Sequence, residues 1–291
     1  MGRAGDCGAR CRSRTLAPVG NRFQWETRRP LVMGILNVTP DSFSDGGRYA
    51  DLPAAVARAE ALLAAGADII DVGGESTRPG SMPVSADEEC RRVLPVIERI
   101  AGLVSVDTTK AVVAERALAA GARIVNDVSA LRFDPRMVAV VREAGAGLVL
   151  MHMAGTPATM QQRPRYTDVV SEVRGFLAER VAFAEREGVG REQIAVDPGI
   201  GFGKTVEHNV ALLARVGELR PPGCALLVGA SRKSFLGKLL GREVDQRLAG
   251  SLAAAAWALM QGVNVVRVHD VAETADVVRW LQLMRENLSS S

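Results

Sequence analysis

Short runs of apolar, mostly β-branched residues alternate along the chain with longer segments rich in Ala, Leu and Arg. From Leu31 onward this pattern predicts eight strands, each followed by a helix. The predicted strands are Leu31–Leu36, Asp68–Val72, Leu103–Val106, Arg123–Asn126, Gly147–Leu150, Ile194–Val196, Ala225–Val228 and Val263–Val268. Because the strands are almost continuously apolar and are joined by crossover helices, we expect a parallel sheet. Eight such units in about 250 residues favour an α/β fold, a single (β/α)8 TIM barrel, over an open sheet.

The chain shows neither a Pro- or Ser-rich linker nor an internal repeat, so we predict one barrel domain over residues 23–291. Phe23 to Trp25 should add a short strand or a plug ahead of the first barrel strand. Residues 1–22 are rich in Gly and Arg and lack an apolar face, which predicts a disordered N-terminal extension. An organelle transit peptide is the alternative for an Arg-rich, acid-poor leader, and the glycines argue against it.

The net charge of +3 is distributed unevenly, because residues 1–29 carry +5 and the remainder carries −2. A slightly acidic body with only 4% aromatic residues has no basic face for nucleic acid. The cysteines are Cys7, Cys11, Cys90 and Cys224, without a CxxC pair, which favours a reduced, cytoplasmic location. No apolar run approaches the roughly 20 residues that cross a bilayer, so no membrane partner is expected.

The segment from Asp197 to Lys204 places a carboxylate and three glycines directly after a predicted strand. A nucleotide-binding P-loop has a similar Gly-Lys-Thr ending and requires a glycine at the position of Pro198. Proline has a fixed φ and no N–H group, so the phosphate cradle is not expected here. The carboxylate at a strand end instead predicts a ligand site.

Polar residues follow every predicted strand at its carboxyl end. In chain order these ends contain Asn37, Asp71, Asp107, Asn126 with Asp127, His152, Asp197, Ser231 to Ser234, and Arg267 with His269 and Asp270. In a barrel these ends converge on one mouth, so the side chains should line a single pocket.

Each of these residues also has a purely structural interpretation. Asp107 and Asp270 precede helices and are well placed for N-caps, which is the commoner use of an aspartate after a strand. His152 fits a hydrogen-bonded residue of the barrel wall, Met151 fits packing, and Asp71 fits support of the loop after the second strand. The functional interpretation depends on the joint pattern.

Seven segments in order resemble the dihydropteroate synthase family, from about Leu31 to the end of the chain. They are NVTPDSFSDGG (37–47), GGESTRPG (73–80), VDTTK (106–110), NDVS (126–129), DPGIGFGK (197–204), SRKSFLG (231–237) and RVHDV (267–271). The resemblance implies a pterin-binding barrel, usually a homodimer and a target of sulfonamides, which mimic p-aminobenzoate. It implies that 6-hydroxymethyl-7,8-dihydropterin pyrophosphate reacts with p-aminobenzoate, with Mg²⁺ assistance and release of pyrophosphate.

The same resemblance implies a role for individual residues. The implied pterin site consists of Asp107, Asn126, Met151, Asp197 and Lys233. The implied p-aminobenzoate site consists of Thr77, Pro79, Phe202, Lys233 and Ser234. The implied pyrophosphate site consists of Asn37, Arg78, Arg267 and His269, with Asn37 as the Mg²⁺ ligand. Arg78, Lys233, Arg267 and His269 are the implied catalytic residues.

Three other functions share part of this pattern. A barrel methyltransferase that binds methyltetrahydrofolate would have a similar pterin pocket, without a use for the SRKS, RVH or GESTRPG segments. A non-catalytic paralogue would retain the pterin pocket as a binding module. A nucleotide hydrolase is disfavoured by Pro198.

Overall fold

The computed structural model describes residues 22–25, 29–39, 51–76, 82–157, 159–162 and 164–289. Its strands are β1 (Leu31–Asn37), β2 (Ile69–Gly73), β3 (Leu103–Asp107), β4 (Ile124–Asp127), β5 (Gly147–Met151), β6 (Ile194–Asp197), β7 (Ala225–Val228) and β8 (Val265–Val268). Its α-helices are α1 (Asp51–Ala64), α2 (Ala86–Ile97), α3 (Ala111–Ala120), α4 (Met137–Ala144), α5 (Val169–Arg186), α6 (Val206–Ala214), α7 (Ser234–Leu240), α8 (Leu248–Met260) and α9 (Val271–Ser289). Short 3-10 turns occupy Arg191–Gln193, Val216–Leu219 and Val244–Gln246.

The eight strands form a closed parallel barrel in sequence order. Closure occurs between the first and last strands, where Leu31 lies in register with Val265 and Met33 with Arg267. The predicted α/β barrel is therefore confirmed.

Side chains alternate along each strand between the barrel interior and the surrounding helices, as the two-residue period of a strand requires. In β2, Ile70 and Val72 join the large core between sheet and helices, whereas Ile69 belongs to a separate cluster inside the barrel. Asp71 is two residues beyond Ile69 and therefore also faces inward. A polar residue near the carboxyl end of a strand therefore points into the barrel if the residue two positions before it also points into the barrel.

The interior cluster closes the barrel at the amino ends of the strands, and we call it the floor. The floor consists of Trp25, Leu31, Met33, Ile69, Ile124, Val149, Ala195, Ala225, Leu227 and Val265, with Phe23 and Leu103 packed against it. The opposite end, where the strands finish, is the mouth.

The segment before β1 acts as a plug, and residues 22–25 have no strand structure. The Phe23 N–H donates to the Gly145 carbonyl at 2.8 Å. The Trp25 indole Nε1 donates to the Gln193 carbonyl at 2.9 Å, and its ring meets Phe23 edge to face. Of the two predicted alternatives for this segment, the plug is the one observed. The predicted leader, apart from Arg22, lies outside the described residues.

None of the described helices combines the length and the apolar character needed to cross a membrane.

Candidate active site

The inward polar positions nearest the mouth come together around Arg267. Its Nε donates to Asp71 Oδ2 at 2.6 Å, and its Nη2 donates to Asp107 Oδ2 at 2.8 Å. Burial disfavours the charged guanidinium, but the two carboxylates outweigh burial and hold the pKa of Arg267 above its ordinary value. Arg267 is therefore a permanent cation in the centre of the site.

Asp71 links Arg267 to Asn126. The Asn126 Nδ2 donates to the same Asp71 Oδ2 at 3.0 Å, and Asp71 is completely buried. Because Asp71 takes one amide hydrogen, the remaining hydrogen and the amide oxygen of Asn126 are available for other partners. The second Asp71 oxygen, Oδ1, has no hydrogen-bond partner among the described residues.

Asp107 lies beside this network rather than at the start of a helix. Helix α3 begins at Ala111 with Lys110 as its N-cap residue, so the N-cap interpretation of Asp107 is wrong. Burial raises the pKa of Asp107 to about 7, Arg267 opposes that rise, and the neighbouring Asp71 charge adds to it. A carboxyl group with this pKa exists in both protonation states near neutral pH.

A second charged pair lies across the mouth, formed by Asp197 and Lys233. Asp197 Oδ1 accepts a 2.7 Å hydrogen bond from the Gly199 N–H. Burial raises the pKa of Asp197, although the Lys233 charge and the Gly199 hydrogen bond act in the opposite direction. Burial likewise lowers the pKa of Lys233 to about 8 while Asp197 opposes that change. The two groups therefore sustain each other's charge.

Lys233 also forms one wall of a mixed apolar pocket. Its Nζ donates to the Ile200 carbonyl and lies 4.4 Å from the centre of the Phe202 ring. Phe202 packs in turn against a small cluster of Val128, Met151, Met153 and Met160. Flexible thioethers beside an aromatic ring provide a surface suited to a flat heterocycle.

Lys204 fixes the glycine-rich loop that follows β6. Its buried Nζ contacts His152 Nδ1 at 3.0 Å and donates to the carbonyl groups of Gly199 at 3.0 Å and Phe202 at 2.9 Å. Burial, followed by the Lys204 charge, lowers the pKa of His152 to about 3, so its ring is neutral. Burial lowers the pKa of Lys204 itself to about 7. The wall interpretation of His152 is thus confirmed, with Lys204 as its partner.

The loops after β7 and β8 meet at the rim of the mouth. Ser231 Oγ accepts from the His269 N–H at 3.2 Å and lies 3.2 Å from His269 Nδ1. Ser234 is exposed at the start of α7, directly after Lys233. Asp270 pairs with Arg232 through its carboxylate and precedes α9.

Asn37 ends β1 at the rim, in register with Gly73. Its Oδ1 lies 3.6 Å from the position that a Cβ at Gly73 would occupy, so the absence of a side chain there keeps space around this oxygen. Among the described residues, there is no group of three or more His, Cys, Asp or Glu side chains placed to hold a metal ion.

Thr77, Arg78 and Pro79 lie outside the described residues. The residues flanking them are held together, because Glu75 Oε1 accepts from the Val84 N–H at 3.2 Å. Lys110 forms ion pairs with both Glu75 and Glu89. The base of this loop is therefore anchored to the start of α3.

The family resemblance did not give an individual role to Asp71, Lys204 or Asp270. Asp71 was expected at the mouth as a strand-end residue, and the strand alternation turns it inward because it lies two positions after Ile69. Lys204 carried a weaker signal, since a lysine after three glycines is ordinarily a surface residue. The hydrogen-bond partners of Asp71 and Lys204 are set by closure of the barrel, so the local sequence around each residue does not predict them.

Residues 33–269 match the family described as "Pterin binding enzyme", and the chain belongs to that family of barrel enzymes. The dihydropteroate synthase of Escherichia coli strain K12 is 50% identical over 254 residues, covering 86% of this chain and 90% of that protein. A Yersinia pestis dihydropteroate synthase solved with a sulfonamide drug complex has a TM-score of 0.84 at 44% identity, covering 90% of this chain and 96% of that one. A Xanthomonas albilineans dihydropteroate synthase solved with 4-aminobenzoic acid also has a TM-score of 0.84, at 48% identity, covering 89% and 94% of the two chains.

Proposed function

We propose that this chain is a dihydropteroate synthase of folate biosynthesis. It condenses 6-hydroxymethyl-7,8-dihydropterin pyrophosphate with p-aminobenzoate to give 7,8-dihydropteroate and pyrophosphate. The observation that carries this proposal is the arrangement of Asp107, Asp197, Lys233 and Arg267, four charged side chains that face one barrel mouth beside a Met and Phe surface. The dihydropteroate synthases that the chain resembles over most of its length support the same conclusion.

The pterin ring is bound in the deepest part of the mouth. Asp197 accepts hydrogen bonds from the ring's adjacent N–H donors, and Asn126 offers an amide oxygen and one amide hydrogen side by side. Asp107 and Lys233 form hydrogen bonds with further donor and acceptor atoms of the ring, and Met151 packs on the ring face. Because Asn126 and Asp197 are buried, a ring with mismatched donors would leave them unpaired, which makes the pocket selective.

The pyrophosphate leaving group is held nearer the rim by cations. Arg267 is charged at all working pH values and offers a guanidinium N–H group in addition to those used by Asp71 and Asp107. His269 follows two residues later on the same side, and Arg78 completes this anion site. These donors strengthen their hydrogen bonds as negative charge grows on the leaving oxygen.

Magnesium fits this rim as a cofactor bound mainly by substrate. Mg²⁺ prefers oxygen ligands and often uses substrate phosphates for much of its shell, so a single protein oxygen is sufficient. The Asn37 amide oxygen, with the open space beside Gly73, is the ligand that we propose. When bound, the ion neutralises charge on the departing pyrophosphate.

The p-aminobenzoate site lies between the Phe202 ring and the start of α7. Phe202 and the aliphatic part of Lys233 form apolar walls, and Thr77 and Pro79 complete the pocket. The Ser234 hydroxyl and the Lys233 ammonium group contact the carboxylate of the substrate.

The reaction proceeds by displacement at the pterin methylene group. The C–O bond to pyrophosphate breaks first, and its electron pair leaves with the pyrophosphate oxygen while the electron-rich dihydropterin stabilises the methylene cation. The amine nitrogen of p-aminobenzoate then donates its lone pair to form the C–N bond and releases one proton. The protein positions both substrates and stabilises charge, so no protein nucleophile is required.

We also propose that the enzyme is a cytoplasmic homodimer. Large apolar side chains are exposed on α7, α8 and α9, which pack side by side: Leu239, Leu240, Trp257, Met260 and Trp280. Such an accumulation on adjacent helices is typical of a subunit interface. The two described cysteines, Cys90 and Cys224, are free thiols, which agrees with a reducing compartment. Light scattering of wild type and of Trp280→Glu tests the dimer, which should dissociate in the variant.

A steady-state assay of pyrophosphate release tests the function. Release should require both substrates together and should produce one dihydropteroate for each pyrophosphate. Release with the pterin pyrophosphate alone would indicate a hydrolase. Tight pterin binding without any turnover would indicate a non-catalytic paralogue, and methyl transfer from methyltetrahydrofolate would indicate the methyltransferase.

A further inference from the structure

Arg232 adopts a backbone conformation that arginine rarely takes. Its φ is +56°, in the left-handed region, where a Cβ atom crowds the neighbouring carbonyl. Glycine would hold the same turn without that cost. A non-glycine residue that persists in this region calls for a reason in its side chain.

The backbone of Arg232 is held in this conformation from both sides. Its N–H donates to Ser251 Oγ at 2.9 Å, and its carbonyl accepts from Arg247 Nη1 at 3.1 Å. Both partners belong to the start of α8, Arg247 as the residue before the helix and Ser251 within its first turn. The turn is therefore rigid, and the direction of the Arg232 side chain is fixed by it.

The Arg232 side chain crosses from the loop after β7 to the loop after β8. Its Nε donates to Asp270 Oδ2 at 3.0 Å, and its Nη2 donates to Asp270 Oδ1, so the pair is bidentate. The residues directly before this pair, Ser231 and His269, are joined as well, because Ser231 Oγ accepts from the His269 N–H. Two adjacent connections thus fix one loop against the other.

These two loops carry opposite halves of the proposed reaction. Lys233 and Ser234, directly after Arg232, belong to the proposed p-aminobenzoate site. Arg267 and His269, directly before Asp270, belong to the proposed pyrophosphate site. The distance between these loops therefore sets the distance between the attacking amine and the departing oxygen.

We infer that Arg232 and Asp270 are positioning residues that align the p-aminobenzoate site with the leaving-group site. The pair touches neither substrate in this assignment and acts through Ser234 and His269. The inference rests on the proposed synthase function. It explains why a strained arginine stands where glycine would be the easier residue, since glycine cannot reach Asp270.

Arg232→Gly separates alignment from folding, because it removes the ion pair and relieves the backbone strain at the same time. We expect the melting temperature to stay within about 3 °C of wild type, since the loss of a partly exposed ion pair is offset by relief of the backbone strain. We expect kcat/KM for p-aminobenzoate to fall by about tenfold or more, the scale of a small misplacement of reacting groups. Calorimetric binding of 6-hydroxymethylpterin should be unchanged, because Lys233, the pterin-site residue on this loop, is held separately by the Ile200 carbonyl.

Asp270→Asn is the second variant, since asparagine keeps the shape and loses the charge of the partner. It should reproduce the loss in kcat/KM, and the exchanged pair Arg232→Asp with Asp270→Arg should recover most of it. The matched control is Arg215→Gln, which breaks a bidentate, solvent-exposed pair with Glu218 away from the mouth. This control should leave kcat/KM for p-aminobenzoate and the affinity for 6-hydroxymethylpterin unchanged.

Wild-type turnover distinguishes a failure of the proposed function from a failure of the positioning role. If wild type forms no dihydropteroate, the proposed function fails. If wild type is active and Arg232→Gly matches its kcat/KM for p-aminobenzoate, the positioning role is wrong. The role is equally wrong if Arg232→Gly loses pterin binding in parallel, or if activity falls only in proportion to the fraction unfolded.

Discussion

Arg267 contacts two carboxylates, Asp71 through Nε and Asp107 through Nη2. This geometry connects two proposed sites, because Asp107 belongs to the pterin pocket and Arg267 to the pyrophosphate site. The guanidinium is pre-positioned by Asp71, so it need not reorganise when the leaving group departs.

Replacing Arg267 should therefore affect turnover more than pterin recognition. Arg267→Ala removes charge-assisted hydrogen bonds that strengthen as pyrophosphate leaves, and kcat should fall by about a hundredfold or more. Arg267→Lys should recover activity only in part, because a point charge cannot reproduce bidentate geometry. The measurements are kcat and calorimetric binding of 6-hydroxymethylpterin and of pyrophosphate.

The loss of pyrophosphate affinity should exceed the loss of affinity for the bare pterin. An equal loss of both would place Arg267 in the pterin pocket and contradict the division of roles. Arg267→Ala also leaves Asp71 and Asp107 without their cationic partner, which should lower the free energy of unfolding by about 3 kcal/mol or more.

Asp197→Asn should abolish pterin binding without unfolding the protein. The amide oxygen of asparagine still accepts from the Gly199 N–H, so the loop after β6 keeps its anchor. The amide nitrogen, however, presents hydrogens to a ring edge that also carries hydrogens. Calorimetric titration with 6-hydroxymethylpterin checks this, and wild-type affinity in the variant would refute the assignment of Asp197.

The sequence predicted which residues face the mouth more reliably than it predicted their partners. Asp107 illustrates this, since an aspartate before a helix is compatible with an N-cap. Its actual partner is 160 residues away, and only barrel closure brings Arg267 to it. Strand-end position is a local property, whereas pairing across the barrel is not.

At the scale of elements, apolar runs located all eight strands, with ends that differ by a few residues. The eighth strand was predicted from Val263 and begins at Val265. The reason is Asn264, whose Oδ1 accepts from the Leu226 N–H at 2.9 Å. The Asn264 side chain thereby takes the place of a backbone carbonyl as the acceptor at the start of this strand. The pattern of apolar residues does not reveal such an exchange of acceptors.

The plug formed by residues 22–25 should contribute measurably to stability. Trp25 is 7% exposed, packs in the floor and has a satisfied indole N–H. Trp25→Ala should therefore lower the free energy of unfolding by about 3 to 5 kcal/mol, the usual cost of truncating a large buried aromatic residue. Urea denaturation followed by circular dichroism measures the change.

Deletion of residues 1–20 is the natural comparison. We propose that this leader is not part of the barrel domain, and the deletion should leave the melting temperature and kcat nearly unchanged. A large loss of stability in the deletion would show that the leader packs on the barrel. Retention of wild-type stability in Trp25→Ala would show that the plug is dispensable.

At the scale of the whole molecule, acid should destabilise the fold through His152. Its folded-state pKa of about 3 lies below the ordinary value of 6.5, so the unfolded state binds the proton more readily. The stabilising contribution is complete above about pH 6.5 and is lost as pH falls towards 3, by about 1.4 kcal/mol per unit.

His152→Asn isolates this effect, because its amide oxygen can still accept from Lys204 but does not titrate. The free energies of unfolding should be compared at pH 7 and pH 5 for both proteins. The buried carboxyls Asp107 and Asp197 have raised pKa values and oppose the trend equally in both, so the comparison removes them. Identical pH dependence in the two proteins would contradict the role of His152.

The plug also determines how this molecule can be handled. Phe23 and Trp25 join the barrel at the floor, at the far end from Asp197 and Arg267. A tether joined directly at residue 22, in place of residues 1–21, is therefore connected on the side opposite to substrate entry. A sensor surface or a second enzyme joined at residue 22 would leave the mouth turned towards the solution, which makes this position the preferred point for immobilisation.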